Sequence, residues 1–430
     1  MKKVDIITMG CSKNLVDSER LMRQFENLGY TVEHDPANAG GEVVIINTCA
    51  FIGDAKEESI DTILDFARAK NDGQIEKLFV MGCLSERYLG QLGQELPEVD
   101  KFYGKFNWDE LIADLGESYR PDLSNERTLT TPSHFAYLKV SEGCNRTCSY
   151  CAIPIITGKH VSRSIESLTE EARLLAEKGV KELQVIAQDL SYYGRDLYKK
   201  SMLAPLVDQL SQIQGIEWIR LHYAYPAGFP KDVLDVMAQN PKVCAYMDIA
   251  LQHISSPMLK KMRRGVSREQ SIDLVNEMRN KVPGIHLRTT MITGHPGETE
   301  ADFQEMYDFV AATKFERLGV FPYSHEEDTY AWHHYEDDVP DEIKQERANV
   351  IMELQNGISR ELNTQKIGET LPVIIDRKED DYFVGRTEYD SLEVDPEVLI
   401  PGNGTEPLIG SFYNVKITGA EDYDLYGELV

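Results

Sequence analysis

Three of the seven cysteines in this 430-residue chain stand close together, in the run Glu142-Gly143-Cys144-Asn145-Arg146-Thr147-Cys148-Ser149-Tyr150-Cys151. Three thiolates spaced C-x3-C-x2-C fit one cubane iron-sulfur cluster and leave its fourth iron without a protein ligand. An iron with a free position can chelate a small molecule and pass it an electron. Zinc also takes clustered cysteines, but usually four ligands in two C-x2-C pairs, and no second pair follows here. The aromatic Tyr150 directly precedes the last cysteine, and the strand-like run from Phe135 to Val140 leads into the loop.

Upstream, Cys11, Cys49 and Cys83 each follow a short apolar run: Val4 to Met9, Val43 to Asn47 and Leu78 to Met81. Each run reads as a buried parallel strand. The intervening segments read as helices, with Leu15, Met22, Phe25 and Leu28 on one face of the first, and Asp54 with Glu57 forming a capping-box-like start to the second. The pattern is βαβαβ, a Rossmann-like arrangement. In an open parallel sheet ligands gather beyond the carboxyl ends of the strands, where all three cysteines fall. Taken singly, each could be an ordinary buried thiol; three at equivalent strand ends predict a second three-cysteine cluster site.

The words around these cysteines carry a family resemblance. The C-x3-C-x2-C run resembles that of the radical S-adenosylmethionine superfamily. The segments Thr8-Met9-Gly10-Cys11-Ser12-Lys13-Asn14-Leu15-Val16-Asp17-Ser18-Glu19, Ile46-Asn47-Thr48-Cys49-Ala50-Phe51-Ile52 and Met81-Gly82-Cys83-Leu84-Ser85-Glu86-Arg87-Tyr88 resemble the methylthiotransferase family within it, and the similarity runs essentially end to end. The resemblance implies an amino-terminal cluster domain over residues 1–120, a radical core over 121–364 and a small carboxy-terminal TRAM barrel over 365–430. It implies two [4Fe-4S] clusters and S-adenosylmethionine as cofactors, with Cys144, Cys148 and Cys151 holding the cluster that cleaves S-adenosylmethionine. Cys11, Cys49 and Cys83 would hold an auxiliary cluster that carries the sulfur to be methylated and transferred. An electron donor such as flavodoxin or ferredoxin is implied as well.

Length agrees with that plan, since 430 residues suffice for about three domains at ~100 to 200 residues each. No apolar stretch approaches the ~18 residues of a membrane helix, and Met1-Lys2-Lys3 leads straight into a strand rather than a signal-peptide core, so a cytoplasmic protein with no membrane partner is expected. Seven cysteines do not make a disulfide framework in a chain of this size, and Cys244, in the apolar run Val243 to Ile249, reads as a packed core residue.

From about 136 to 330 strand-like and helix-like segments alternate. The strand candidates are Phe135 to Val140, Glu182 to Ala187, Trp218 to Tyr223, Ala245 to Leu251, His286 to Thr293 and Arg317 to Tyr323; the helical patterns are Leu168 to Lys178, Ala204 to Ile213, Lys231 to Gln239, Ser267 to Asn280 and Glu300 to Thr313. Six βα units predict an open partial (β/α)6 barrel, because a full eight-unit barrel needs about 250 residues. Active-site groups are expected at the strand carboxyl ends. Gln188 and Asp189 follow the second strand, where, by resemblance, the superfamily binds the amino group of S-adenosylmethionine; His222, Tyr223 and Tyr225 end the third. Met291 to Thr299 resembles the family's stretch beside the adenine, with Ile292 and Glu298 in it, and Gly294 and Gly297 would let the backbone approach a flat base. Gly297-Glu298-Thr299 also reads as the cap of the next helix. Tyr150, Gln188, Asp189, His222, Ile292, Gly294 and Glu298 are therefore the cofactor-binding candidates, and no catalytic acid or base beyond the cluster ligands is indicated. His333-His334 reads as a solvated loop.

Asp341 to Gln365 predicts a charged amphipathic helix leading out of the core. The remainder is short strands, Leu371 to Asp376, Tyr382 to Arg386, Tyr413 to Ile417 and Leu425 to Val430, with Pro401-Gly402-Asn403-Gly404 as a loop, and it predicts a small antiparallel β-barrel. No internal repeat or Gly/Ser linker interrupts the chain, so the three modules of this α/β protein are expected to pack closely.

Charge bears on the substrate. The chain carries 45 basic against 72 acidic residues, and residues 366–430 carry five basic and 15 acidic. A barrel that held transfer RNA would attract phosphates with lysine and arginine, whereas an acidic one suits a basic protein through steering and complementarity. The expected partner is a basic ribosomal protein of the small subunit, free or ribosome-bound, and transfer RNA is disfavoured. By resemblance the reaction is methylthio insertion at the β-carbon of an aspartate in ribosomal protein twelve. The rival readings are a transfer-RNA adenosine methylthiotransferase and a non-catalytic iron-sulfur scaffold.

Overall fold

Val43-Val44-Ile45-Ile46 places β-branched side chains at consecutive positions, and every residue of that strand is buried, which marks a strand covered on both faces. The computed structural model describes residues 2–37, 40–392, 394–402 and 406–430. Its first sheet is parallel, of order β2-β1-β3-β4-β5, with β1 Lys3–Thr8, β2 Thr31–His34, β3 Val43–Thr48, β4 Lys77–Gly82 and β5 Lys101–Phe102. Helices α1 (Ser12–Asn27), α2 (Gly53–Asn71), α3 (Cys83–Glu95) and α4 (Trp108–Asp114) cover it. The βαβαβ core is thus present, flanked by β2 and β5. Asp54 does not cap α2: Ile52 is the N-cap and its side chain makes no capping bond, so Asp54 serves only as a first-turn acid facing the helix dipole.

The second sheet is parallel and of order β13-β12-β11-β10-β9-β6. Its strands are β6 Phe135–Lys139, β9 Glu182–Ile186, β10 Trp218–Ala224, β11 Val243–Ile249, β12 His286–Thr293 and β13 Arg317–Pro322; a small antiparallel ribbon, β7 Ser141–Glu142 with β8 Val161–Ser162, lies before β9, and α5 spans Ile153–Thr157 between them. The expected six strands are all found, followed by α6 Ile165–Glu177 after the β7–β8 ribbon, α7 Leu203–Ser211 after β9, α8 Asp232–Gln239 after β10, α9 Ser256–Lys261 and α10 Arg268–Lys281 both after β11, and α11 Glu300–Thr313 after β12. Capping boxes start α10 (Ser267 with Gln270) and α11 (Thr299 with Asp302), so the sequence signal at Thr299 is indeed a cap. His333 and His334 are exposed in the short helix α12 (Tyr330–His334), with His334 stacked on Tyr330.

The sheet stays open beside β6, and α1 fills that side: Val16 packs with Phe135, Tyr137 and Ile186. Arg127 ties Glu19 of α1 to Glu171 of α6 at 3.0 and 3.1 Å. At the other edge α13, Asp341–Gln365, does not lead away from the core. It lies along β13 and α11, burying Ala348, Ile351 and Ile358 in the main hydrophobic cluster.

Strands β14 Thr370–Glu379, β15 Tyr382–Thr387, β16 Val398–Pro401, β17 Phe412–Ala420 and β18 Leu425–Leu429 close a carboxy-terminal barrel, antiparallel except where β16 meets β18 in parallel. Asn403 and Gly404 of the expected loop lie outside the described residues. This barrel docks beneath the amino ends of the radical-sheet strands, through His134 with Asp376 (2.8 Å), Arg386 with Glu182 (2.8 Å) and Trp218 against Phe412. Cys244 is packed there, against Trp218, Tyr246 and Ile374, as a core residue.

The segment from Glu388 to Asp395 corrects the picture of an acidic surface. Asp390 is buried and paired with Arg317, Asp395 accepts from Tyr246, and Ser391 lies 3.4 Å from Gln184 and 3.3 Å from His222. These acidic groups point up into the barrel, where arginines receive them; Glu393 lies outside the described residues.

Candidate active site

Cys11 is the N-cap of α1, Cys83 is the first residue of α3, and Cys49 lies between β3 and α2. Because β1, β3 and β4 are neighbours in the sheet, the three thiols meet at one edge, at the amino ends of helices whose dipoles favour an anionic group. Two glycines make the approach possible. Gly10 has φ +86°, and a Cβ there would stand 2.6 Å from Cys49 Sγ; Gly82 has φ +98°, and a Cβ would meet the Thr48 backbone at 2.6 Å. Asn14 donates to the carbonyls of Met9 and Thr48 and sets its Oδ1 3.7 Å from Cys83 Sγ, which explains a buried asparagine one turn into α1. Burial pushes the Cys83 thiol up to about 12 and raises Cys49 as well, so ionisation of these thiols would need a bound cation.

Cys144, Cys148 and Cys151 follow β7. Burial pushes Cys144 up to about 11 and Cys151 up to about 12. Arg264, almost fully buried, donates from Nη1 to Cys148 Sγ at 3.1 Å and to the Tyr150 hydroxyl at 3.0 Å. The Tyr225 hydroxyl donates to the Arg264 carbonyl at 2.7 Å and lies 3.7 Å from Cys148 Sγ; its ring is sandwiched between the guanidiniums of Arg146 and Arg264, each 4.1 Å from its centroid. Among the described residues no three Cys, His, Asp or Glu side chains converge as a single-ion site.

A polar network joins the two cysteine sets. Glu142, just before Gly143-Cys144, lies 3.2 Å from Lys105 and 2.8 Å from Lys139 and accepts from Gln188; both lysines also face Asp17 of α1. Burial alone would raise the Glu142 pKa, but the two ammonium groups overcome it and hold the carboxyl down at about 2.

Beside Cys11 lies a cavity of about 300 Å³, lined among others by Tyr137, Gln184, His222, Tyr223 and Arg288, with Ser391, Leu392 and Val394 of the inserted segment contributing. Of the cofactor candidates, His222 lines it directly. Tyr150 meets Arg264 beside the radical motif. Gln188 bonds Glu142, and the Asp189 carboxylate is taken by Arg146 at 2.6 Å. Ile292 is half-buried on β12. At Gly294, φ +73°, a Cβ would run into the Lys344 side chain of α13, and at Gly297, φ +76°, into the end of the Lys261 side chain, so both glycines sit where the backbone closely approaches a lysine. The Glu298 carboxylate is buried between Arg347 (2.7 Å) and His253 (3.3 Å). Lys105, Arg264 and Lys13 carry no periodic or motif signal of their own; only Lys13 stands inside a recognisable word.

Comparison with known proteins gives three family matches: the radical SAM superfamily over residues 138–310, the family described as Uncharacterized protein family UPF0004 over 3–104, and the TRAM domain over 367–430. The chain is 61% identical to ribosomal protein uS12 methylthiotransferase RimO of Bacteroides thetaiotaomicron over 429 residues, 100% of this chain and 98% of that protein. Identity to the protein of the same name from Cytophaga hutchinsonii is 54% over 428 residues, again 100% and 98% of the two chains. Among solved structures, the methyltransferase TsrM of Kitasatospora setae aligns with TM-score 0.55 at 15% identity over 74% of this chain and 73% of that one. The cobalamin-dependent radical enzyme OxsB aligns with TM-score 0.53 at 13% identity over 83% and 56%. At such identities the likeness is one of fold.

Proposed function

This chain belongs to the RimO family of radical S-adenosylmethionine methylthiotransferases, and from that premise we propose that it adds a methylthio group to the β-carbon of an aspartate in ribosomal protein uS12. Cys144, Cys148 and Cys151 hold one [4Fe-4S] cluster; Cys11, Cys49 and Cys83 hold a second. Residues 1–120, 121–364 and 365–430 form the cluster domain, the radical core and the TRAM barrel. A cytoplasmic setting with an electron donor such as flavodoxin or ferredoxin completes the proposal; among the described residues no helix is long and apolar enough to cross a membrane.

The observations that support the proposal are that Cys11 of the first set lines the cavity and that the Lys105–Glu142 pair ties the first sheet to the segment that carries the second set. When bound, the clusters and S-adenosylmethionine supply a carbon radical for hydrogen abstraction and a sulfur that can be methylated and transferred. The protein's own groups do the positioning. Arg264 and Tyr225 fix Cys148, and the Lys105, Lys139 and Glu142 network sets the distance between domains. Ser391 and Leu392 close the cavity from below, which limits the entry of water that would quench a radical. Hydrogen abstraction requires no proton acceptor.

Intact mass of uS12 after anaerobic incubation with reconstituted enzyme, reductant and S-adenosylmethionine tests the proposal. The expected result is a gain of one methylthio group, mapped to an aspartate. Unmodified uS12 together with methylthiolated transfer RNA would overturn it.

A further inference from the structure

Most cations around the cavity already have an acidic partner. Arg288 lies 3.9 Å from Asp395, Lys105 and Lys139 share Asp17 and Glu142, and Arg146 is held by Asp189. Lys13 differs. It is 8% exposed, and among the described residues no carboxylate lies within 4 Å of its ammonium, which sits 3.2 Å from the centroid of the Tyr223 ring. The aromatic face offsets part of the cost of burying an ammonium without an anion.

Tyr223 is itself unusual. Its φ of +63° is in the left-handed region, which a bulky residue enters only when its surroundings impose it, and its backbone N–H donates to Asp248 at 3.2 Å. The pairing of β10 with β11 shifts register there. The ring ends up 38% exposed on the cavity wall, carrying Lys13 at its face. Strain placed at a cavity wall and a buried cation without a counter-ion are two independent observations that meet at one spot.

We infer that the Lys13 ammonium anchors the side-chain carboxylate of the substrate aspartate, with Tyr223 holding the ammonium in place. The inference rests on the proposed protein substrate and deepens it. Lys13 is in the first turn of α1, and the residues around its ammonium, Cys11 and Ser12 before it and Tyr223 against it, line the cavity. The carboxylate carbon of an aspartate is bonded to its β-carbon, so a carboxylate fixed at Lys13 keeps the reacting carbon beside the Cys11 wall. A neutral asparagine in the same loop would leave the ammonium unpaired and lose the charge-assisted bond. Lys13 is thus a specificity-determining residue for an anionic side chain.

The test is the dissociation constant of labelled uS12, and of uS12 with the target aspartate replaced by asparagine, for the anaerobically reconstituted enzyme. The wild-type enzyme is expected to prefer the aspartate form about tenfold, Lys13→Met to bind both forms alike, and Lys13→Arg to keep the preference. Iron content matched to wild type checks the fold, and if Lys13→Met loads poorly the comparison is read from Lys13→Gln. A neutral variant that keeps the preference, or a wild type without one, overturns the inference while methylthiolated uS12 leaves the proposed function standing. Failure of the wild type to modify uS12 at all overturns the function instead.

Discussion

Lys105 of the cluster domain sets its ammonium 3.2 Å from the carboxylate of Glu142, two residues before the first cysteine of the radical motif. Both groups are largely buried, so the pair fastens the segment after β5 to the loop that carries the C-x3-C-x2-C motif. Removing one partner of a fully buried pair costs ~3–5 kcal/mol. Lys105→Met should cost less, on the order of 2 kcal/mol, because Lys139 still lies 2.8 Å from Glu142. Denaturant unfolding of Lys105→Met, Glu142→Gln and the double variant measures the coupling; strictly additive losses would show that the pair contributes nothing.

The two cysteine sets should separate by function. Replacing Cys144, Cys148 and Cys151 by alanine is expected to abolish deoxyadenosine formation and to leave about half the iron, since the other set lies on a different sheet. Replacing Cys11, Cys49 and Cys83 is expected to leave deoxyadenosine formation and to abolish methylthio transfer. Iron quantification and product analysis on both triple variants decide the point, and transfer retained by the second would reduce the upstream thiols to core residues.

Arg264 donates to Cys148 Sγ at 3.1 Å. Hydrogen bonds to cluster sulfurs stabilise the reduced state. Arg264→Met should therefore shift the midpoint potential of the radical cluster to a more negative value and slow S-adenosylmethionine cleavage, and Arg264→Lys should recover part of the shift. A spectroscopic redox titration reads it directly; an unmoved potential would assign Arg264 to packing alone.

Acid should loosen the carboxy-terminal barrel. Burial alone would raise the Glu182 pKa, but the guanidiniums of Arg386 and Arg220 overcome it and hold the carboxyl down at about 2. A folded-state pKa below the unfolded value of about 4.3 contributes stability that is complete above that pH and is lost as pH falls toward 2. Glu182→Gln is expected to be the less stable protein at pH 7, with the difference from wild type shrinking between pH 4 and pH 2. Melting curves at three pH values across that range measure it, and a constant difference would refute the linkage.

Docking of a basic partner on the acidic barrel must use groups other than Asp390 and Asp395, which are committed to Arg317 and Tyr246. Glu379 is likewise held, by Arg377 at 2.8 Å, but Asp380 and Asp381, at the exposed turn between β14 and β15, are available. Reversing them to lysine should slow association with uS12 by several-fold while leaving dissociation nearly unchanged, and added salt should slow the wild type in the same way. Stopped-flow association at two ionic strengths provides the measurement; salt-independent rates would place the docking surface elsewhere.

Elements whose side chains alternate or run apolar were legible in the sequence. β12 and α11 have the bounds that periodicity gives, and the cysteines stand at the strand ends where the βα pattern puts them. β2 escaped because its side chains are exposed or half-buried and present no apolar run, and β16 because it is short and ends at Pro401. Composition counts carboxylates without saying which way they face, so Asp390 and Asp395 were legible as charge and not as buried partners. Gly294 announced a tight approach, but that the approach is to Lys344 depends on α13, far along the chain. Lys105 and Arg264 gave no signal at all, because their roles arise only when distant segments meet.

The segment from Glu388 to Asp395 has a consequence for the order of events during synthesis. Domains emerging from the ribosome fold from the amino terminus onward. All six cysteines of the two sets have been made long before Ser391 and Leu392, yet these residues line the same chamber as Cys11. Until nearly the whole chain exists, the chamber has no floor, and a nascent enzyme with iron already in place would be open to solvent from below. Completion of the polypeptide therefore acts as a safety catch: a truncated chain, however well its first two sheets fold, lacks the part that shields radical chemistry from water.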